Sequence, residues 1–119
     1  MYRKTIKMRE IRPWGNYQIL LEDDNCKVKK ITVQPGQKLS LQSHEKRNEL
    51  WSIIDGEGEI TLDEQIMPAP KGMIFYIPIK TKHRIENVGN KPLIFIEVQT
   101  GEYFGEDDIK RYEDIYGRK

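Results

Sequence analysis

The chain holds two histidines in 119 residues, and both stand where spaced partners can complete a metal-binding set. From Gly36, five residues lead to Gln42; Ser43 and His44 follow, then four residues to Glu49 and six to Gly56. A second block runs from Gly72 through five residues to Pro78, then past Lys80 to His83 and, three residues further on, to Asn87. Gln42, His44, Glu49 and His83 together offer an amide oxygen, two imidazoles and one carboxylate. Such a donor set suits one divalent transition metal, and Zn, Mn, Fe, Co and Ni all accept these ligands. The bland alternative, two ordinary polar histidines with chance neighbours, explains each block alone but not the pair of glycine-bounded blocks together.

These side chains need strands to aim them. Gln42 and His44 are two apart, so an extended chain sends both from the same face. The charged stretch Glu45-Lys46-Arg47-Asn48 suits a turn, after which Leu50-Trp51-Ser52-Ile53-Ile54 reads as a returning strand that carries Glu49 back toward the first two ligands. His83 arrives from far along the chain, after the apolar run Ile74-Phe75-Tyr76-Ile77 and Pro78. A site closed by segments so distant in sequence implies a barrel. Runs rich in β-formers recur at 17–21, 27–33, 38–42, 50–54, 59–62, 73–77, 83–87 and 93–99, punctuated by Gly, Pro, Asn and Asp. The expected fold class is all-β, an antiparallel barrel or jelly roll.

The end of the chain reads differently. Glu106-Asp107-Asp108 places acids where a helix would start, Ile109, Tyr112 and Tyr116 fall near one helical face, and Gly117-Arg118 suits a helix end. The pattern predicts a short C-terminal helix over 106–117 that covers part of the barrel.

Composition bounds the function. One domain and one core are all that 119 residues accommodate, so the expectation is a single domain over 1–119 with no nucleotide-binding half. The formal net charge is +1, with basic and acidic residues interspersed, which argues against nucleic acid as partner. A lone Cys26 excludes an internal disulfide, and no apolar run has the length of a signal peptide or a membrane span. The expected location is the cytoplasm.

The two-block pattern resembles the cupin superfamily, with Gln42 in the slot where a first histidine is usual. The surrounding text narrows the likeness. Arg12-Pro13-Trp14-Gly15 with Tyr17, Lys27 to Ile31, Pro35-Gly36-Gln37, Leu39-Ser40-Leu41-Gln42 with His44, Arg47, Glu49 and Trp51, Tyr76-Ile77-Pro78, His83-Arg84, Glu86-Asn87, Ile96 to Gln99, and the tail from Gly101-Glu102-Tyr103 through Gly105 to Ile109 and Tyr116-Gly117-Arg118 resemble the C-terminal isomerase domain of type II mannose-6-phosphate isomerases. Those bifunctional enzymes also carry mannose-1-phosphate guanylyltransferase activity. The chain departs from that pattern at Glu45, where a second histidine is common, and at Pro78-Ile79-Lys80, where a Pro-Ala-Gly turn is usual.

The resemblance implies a metal-dependent aldose–ketose isomerase that interconverts mannose 6-phosphate and fructose 6-phosphate. Moving a proton between adjacent carbons is slow unless the developing negative oxygen is stabilised, which a divalent ion does as a Lewis acid. Phosphate needs cations, and Arg47, lying between two ligands, is the leading candidate for substrate binding and catalysis, ahead of Lys29, Arg84 and Lys82. Glu97 alternates with Leu93 and Phe95, points inward if those two face the core, and is the candidate proton-transfer base. Trp51 and Tyr76 are candidate pocket walls. Two other functions fit the same residues: a metal cupin of different chemistry, such as an oxygenase or cyclase, and a non-catalytic sugar-phosphate-binding module. Residues 1–12, where Tyr2, Ile6, Met8 and Ile11 alternate with charged residues, read as an arm or edge strand able to add to a neighbour's sheet, so the expected assembly is a homodimer.

Overall fold

The computed structural model describes residues 9–118. Eleven strands follow one another among them: β1 (Glu10–Arg12), β2 (Gly15–Glu22), β3 (Lys27–Val33), β4 (Leu41–Ser43), β5 (Arg47–Asp55), β6 (Glu57–Leu62), β7 (Gln65–Pro70), β8 (Ile74–Ile77), β9 (His83–Asn87), β10 (Leu93–Gly101) and β11 (Lys110–Glu113). They form a six-stranded sheet in the order β1-β2-β3-β10-β5-β8 and a five-stranded sheet in the order β11-β4-β9-β6-β7. Every pairing is antiparallel. Among the described residues no helix is long and apolar enough to cross a membrane.

Strand alternation decides what the interior contains. On β3 the inward row is Lys27, Lys29, Ile31 and Val33; on β10 it is Leu93, Phe95, Glu97 and Gln99; on β5 it is Arg47, Glu49, Trp51 and Ile53. Antiparallel register then sorts these rows into layers. Phe95 lies between Ile31 and Ile53, Glu97 between Lys29 and Trp51, and Gln99 between Lys27 and Glu49. One end of the barrel is therefore an apolar core, with Ile31, Val33, Ile53, Ile60, Ile85, Leu93 and Phe95 buried. The other end buries Lys27, Lys29, Arg47, Glu49, His83, Glu97 and Gln99. Buried charges are costly unless paired, so a fold that places this many at one end of its interior is built around a polar site.

The C-terminal helix expected over 106–117 does not form. Residues 106–107 make a turn, and β11 runs antiparallel to β4, with Arg111 opposite Gln42 and Lys110 opposite Ser43. Tertiary contacts outweigh the local pattern here. Without β11, strand β4 would be an unpaired sheet edge. The Asp108 carboxylate accepts hydrogen bonds from the Glu45 and Lys46 amides, and Glu106 pairs with Lys27 and Lys29. The apolar face foreseen for a helix still meets the barrel, but from an extended strap: Tyr112 Oη bonds Ser43 Oγ at 2.9 Å, and Tyr116 packs against the core while its hydroxyl bonds Gln37.

Other boundaries shift for similar reasons. The expected strand over 38–42 is confined to β4, with Lys38 making an isolated bridge to Glu86. Strand β7 carries two prolines, Pro68 and Pro70, on a sheet edge, where a missing amide hydrogen is tolerated. Residues 1–8 of the expected arm lie outside the described residues, while Glu10–Arg12 pairs with β2 of its own chain.

Gly101 couples fold to site. It sits at φ +140°, and a Cβ added there would lie 2.4 Å from the Lys46 carbonyl oxygen and 2.9 Å from the Arg47 Cα. Gly101→Ala is expected to push β5 and β10 apart where Arg47 enters, lowering stability by about 1–3 kcal/mol. Thermal melting of the variant against the parent chain measures it.

Candidate metal centre and its cavity

Glu49 meets the two histidines across the barrel and not across a hairpin. Strand β4 and strand β5 belong to different sheets, so His44 (just beyond β4) and His83 (first residue of β9) come from the five-stranded sheet and Glu49 from the six-stranded one. The three residues are buried, and one donor atom from each lies within 4.8 Å of the others. The closest approaches are His44 Nε2 to Glu49 Oε2 at 3.2 Å and His83 Nε2 to Glu49 Oε1 at 3.6 Å.

Backbone carbonyls set the histidine tautomers. His44 Nδ1 is 2.6 Å from the Asp108 oxygen and His83 Nδ1 is 2.8 Å from the Thr81 oxygen. A carbonyl only accepts, so each Nδ1 carries a proton, and Nε2 is the ring nitrogen that faces Glu49. Burial, reinforced by the charges of Arg47 and His83, pushes His44 down to about 4 against the opposing pull of the Asp108 carbonyl. The ring is neutral at neutral pH, as a metal ligand must be.

Gln42 lies opposite His83 in the β4–β9 pair. Its Nε2 donates to Ser40 Oγ at 3.1 Å and to the Ser40 carbonyl at 3.3 Å, which leaves the amide oxygen as the free donor. Two imidazoles and a carboxylate therefore fit a divalent cation by type and by proximity, and the Gln42 amide oxygen fits it by type.

The cavity beside this cluster measures about 310 Å³ and is lined by Gln42, Glu49, His83, Arg47, Lys29, Trp51 and Glu97. The Trp51 indole N–H reaches Glu49 Oε1 at 2.9 Å and Glu97 Oε1 at 3.1 Å, bridging the two acids. Gln99 Nε2 donates to Glu97 Oε2 at 2.6 Å. The two carboxyls are driven apart in acidity. Burial alone would raise Glu49, but His83 and Arg47 outweigh it and hold the carboxyl below its ordinary range. Burial and the neighbouring Glu49 charge raise Glu97, opposed by Lys29 and Arg47. Relative to an exposed carboxyl, Glu49 thus favours its anion and Glu97 its proton.

The residues singled out from sequence fare unevenly. Arg47 is not in a turn: it opens β5, is buried, and points inward, with Nε on Glu49 Oε2 at 2.8 Å. Lys29 lines the cavity with its Nζ on Glu106 and over the Tyr17 ring at 4.2 Å. Against burial, which would raise it, Lys29 and Lys27 hold Glu106 at about 2. Two candidates face elsewhere. Tyr76 stands on the outer face of β8, 58% exposed, because Phe75 and Ile77 take the inward positions of that short strand. Arg84 donates to the Leu39 carbonyl and pairs with Glu113, tying β9 to β11 outside the cavity. Lys82 lies over the Tyr112 ring.

Three cavity arginines escaped the sequence reading. Arg12, Arg111 and Arg118 line the same space as Glu97 and Gln42. Burial and the adjacent charges of Arg118 and Arg12 lower the Arg111 guanidinium, with Asp114 opposing. The group carries countercharges of its own: Arg118 pairs with Asp114 at 2.9 Å, and Glu10 lies 3.8 Å from Arg12. A signal existed: Arg12 stands in the Arg-Pro-Trp-Gly stretch and Arg118 in the Tyr-Gly-Arg tail, yet neither lies near the metal blocks in sequence, and only the strap brings Arg111 and Arg118 to the mouth.

The chain has relatives among known proteins. The chain is 49% identical over 107 residues to the alginate biosynthesis protein AlgA of Pseudomonas putida, spanning 90% of this chain and 22% of that protein. It is 43% identical over 111 residues to a mannose-1-phosphate guanylyltransferase of Escherichia coli, spanning 92% of this chain and 23% of that protein. The chain thus spans less than a quarter of the length of these curated relatives. Among solved structures, the capsular polysaccharide assembling protein CapF of Staphylococcus aureus superposes with a TM-score of 0.78 at 22% identity, over 90% of this chain and 34% of that one. That likeness speaks for the cupin fold. The family described as "Mannose-6-phosphate isomerase C-terminal" matches residues 2–114, and the chain belongs to it.

Proposed function

We propose that this domain is a metal-dependent sugar-phosphate isomerase that interconverts mannose 6-phosphate and fructose 6-phosphate. The observation that carries the reading is a buried His44-Glu49-His83 cluster beside a cavity that Glu49 and His83 line together with Glu97, whose carboxyl is raised, and a group of arginines. His44, Glu49, His83 and Gln42 would hold one divalent transition metal. Such an ion supplies Lewis acidity toward a carbonyl or hydroxyl oxygen of the sugar.

The chain's own residues supply the rest. The Glu97 carboxylate takes the C2 proton of the aldose and returns it to C1, while the hydroxyl proton on O2 moves to O1, so the ketose forms with no net gain or loss of atoms. The raised Glu97 carboxyl is a stronger base than an exposed one, and Trp51 and Gln99 hold it in place. Arg12, Arg111 and Arg118 bind the phosphate, and Lys29 and Arg47 face the sugar. Arg111→Ala is expected to raise KM for the phosphorylated substrate about tenfold or more, in line with the roughly 1.5–3 kcal/mol carried by a hydrogen bond to a charged group. Steady-state kinetics with the 6-phosphate measure it.

The decisive experiment incubates metal-replete protein with mannose 6-phosphate in deuterated water. Formation of fructose 6-phosphate with solvent exchange at C2 supports the proposal. Absence of both product and exchange, with tight binding retained, replaces it by a binding module, and oxygen consumption without isomer replaces it by an oxygenase. The same reading puts the protein in the cytoplasm, where phosphorylated sugars are handled. It also makes the protein a homodimer, since β1 and β8 leave open sheet edges and Leu50, Ile54, Ile74 and Tyr76 are exposed apolar residues of β5 and β8. A monomeric mass by light scattering at micromolar concentration refutes the dimer.

A further inference from the structure

Arg47 uses donor atoms that a metal ion would need. Its Nη2 lies 3.2 Å from His44 Nε2, and its Nε donates to Glu49 Oε2 at 2.8 Å. His44 Nδ1 is committed to the Asp108 carbonyl, so Nε2 carries the single lone pair of the ring. One lone pair serves one partner: it accepts a hydrogen bond from the guanidinium or it binds an ion. Glu49 has oxygens to spare, but a guanidinium in contact with one of them weakens its pull on a second cation.

The guanidinium has little else to hold it. It is 5% exposed, and its Nη1 is buried with no hydrogen-bond partner. The other buried cations at this end are engaged differently, Lys27 and Lys29 both pairing with Glu106. Arg47 is thus the cation paired with the ligand carboxylate, and its side chain is anchored by two of the atoms that define the cluster.

We infer that Arg47 is an internal competitor that sets the affinity of the metal centre: uptake of an ion by His44 requires the Arg47–His44 hydrogen bond to break, and the fixed positive charge beside Glu49 opposes the incoming one. The inference rests on the metal reading above and deepens it. Its consequence runs opposite to the usual effect of removing a residue from a binding site, because deleting Arg47 strengthens metal binding.

The test is the dissociation constant for Mn²⁺ and for Zn²⁺, measured by competition with a chelator, on full-length parent protein, Arg47→Met and Arg47→Lys. Arg47→Met is expected to bind each ion about tenfold or more tightly than the parent, since it frees the His44 lone pair and leaves the buried Glu49 carboxylate without its guanidinium countercharge. Arg47→Lys keeps a charge but loses the planar fork, and is expected to fall between the two. Equal or weaker binding by Arg47→Met overturns the inference. Circular dichroism checks the fold of each variant. Should Arg47→Met not fold, Arg47→Lys decides: binding tighter than the parent supports the inference, and parental or weaker binding overturns it. A parent protein that takes up no ion, or a His44→Ala, His83→Ala variant that binds as the parent does, removes the metal reading itself and this inference with it, an outcome distinct from unchanged affinity in the Arg47 variants alone.

Discussion

Replacing both histidines, as His44→Ala with His83→Ala, is expected to reduce divalent metal from about one ion per chain to none and to abolish isomerisation. Both rings are buried, and each has one nitrogen fixed by a backbone carbonyl so that the other faces Glu49. Alanine at both positions leaves one carboxylate and one amide, too few and too weak to hold a transition ion against water. Elemental analysis after dialysis reads the result directly. Undiminished metal in the double variant would mean that the ion is held elsewhere. A single His44→Ala change is expected to lose most of the metal as well, because His44 Nε2 and His83 Nε2 approach opposite oxygens of the same carboxylate, and one ring alone leaves that carboxylate held from one side only.

Glu97→Gln is expected to leave metal content unchanged while lowering kcat by about 10²–10⁴, the range for loss of a positioned general base. The amide is close in size to the carboxyl and keeps an acceptor for the Trp51 indole, so the cavity survives. The pH profile separates a proton-transfer role from a structural one. Burial and the Glu49 charge raise the Glu97 carboxyl, so it is protonated and inactive as a base at low pH, and activity rises as pH climbs through its raised pKa. That acidic limb is expected to vanish in Glu97→Gln. The same raised pKa bears on stability with the reverse sign to a salt-bridged acid: a folded carboxyl that binds its proton more tightly than the unfolded one favours the fold at low pH and loses that contribution as pH rises. A kcat within a few-fold of the parent's, with the limb intact, would move the base assignment to another group.

Much of this centre was legible in one dimension. Strand periodicity places residues two apart on one face, so Glu97 had to follow Leu93 and Phe95 inward, and the inward row of β10 confirms that parity. Strands β3 and β9 coincide with the runs expected at 27–33 and 83–87, because alternation between interior and surface is strongest where one face is buried. Arg47 illustrates a harder case. Four charged or polar residues in a row read as a turn, but the strand starts at Arg47 because the partner for its guanidinium, Glu49, waits inside the barrel. Sequence shows that a residue is charged, and only the fold shows that its countercharge is also buried.

What the sequence determined by itself is the periodic and the local: an all-β chain, the types and spacing of the candidate ligands, and the inward face of β10. These follow from the two-residue repeat of extended chain and from side-chain chemistry, neither of which needs a partner to be read. What only tertiary structure decided is every contact made between elements far apart in the chain. The tail, with acids, a one-sided apolar stripe and a terminal glycine, satisfies the local rules for a helix, yet it pairs with β4, caps His44 through Asp108 and carries Arg111 and Arg118 to the cavity. The edge of β4 that β11 covers, and the buried Lys27 and Lys29 of β3 that Glu106 pairs, outweigh the tail's modest local preference, since a weak propensity yields to a sheet edge and buried charges that must find partners.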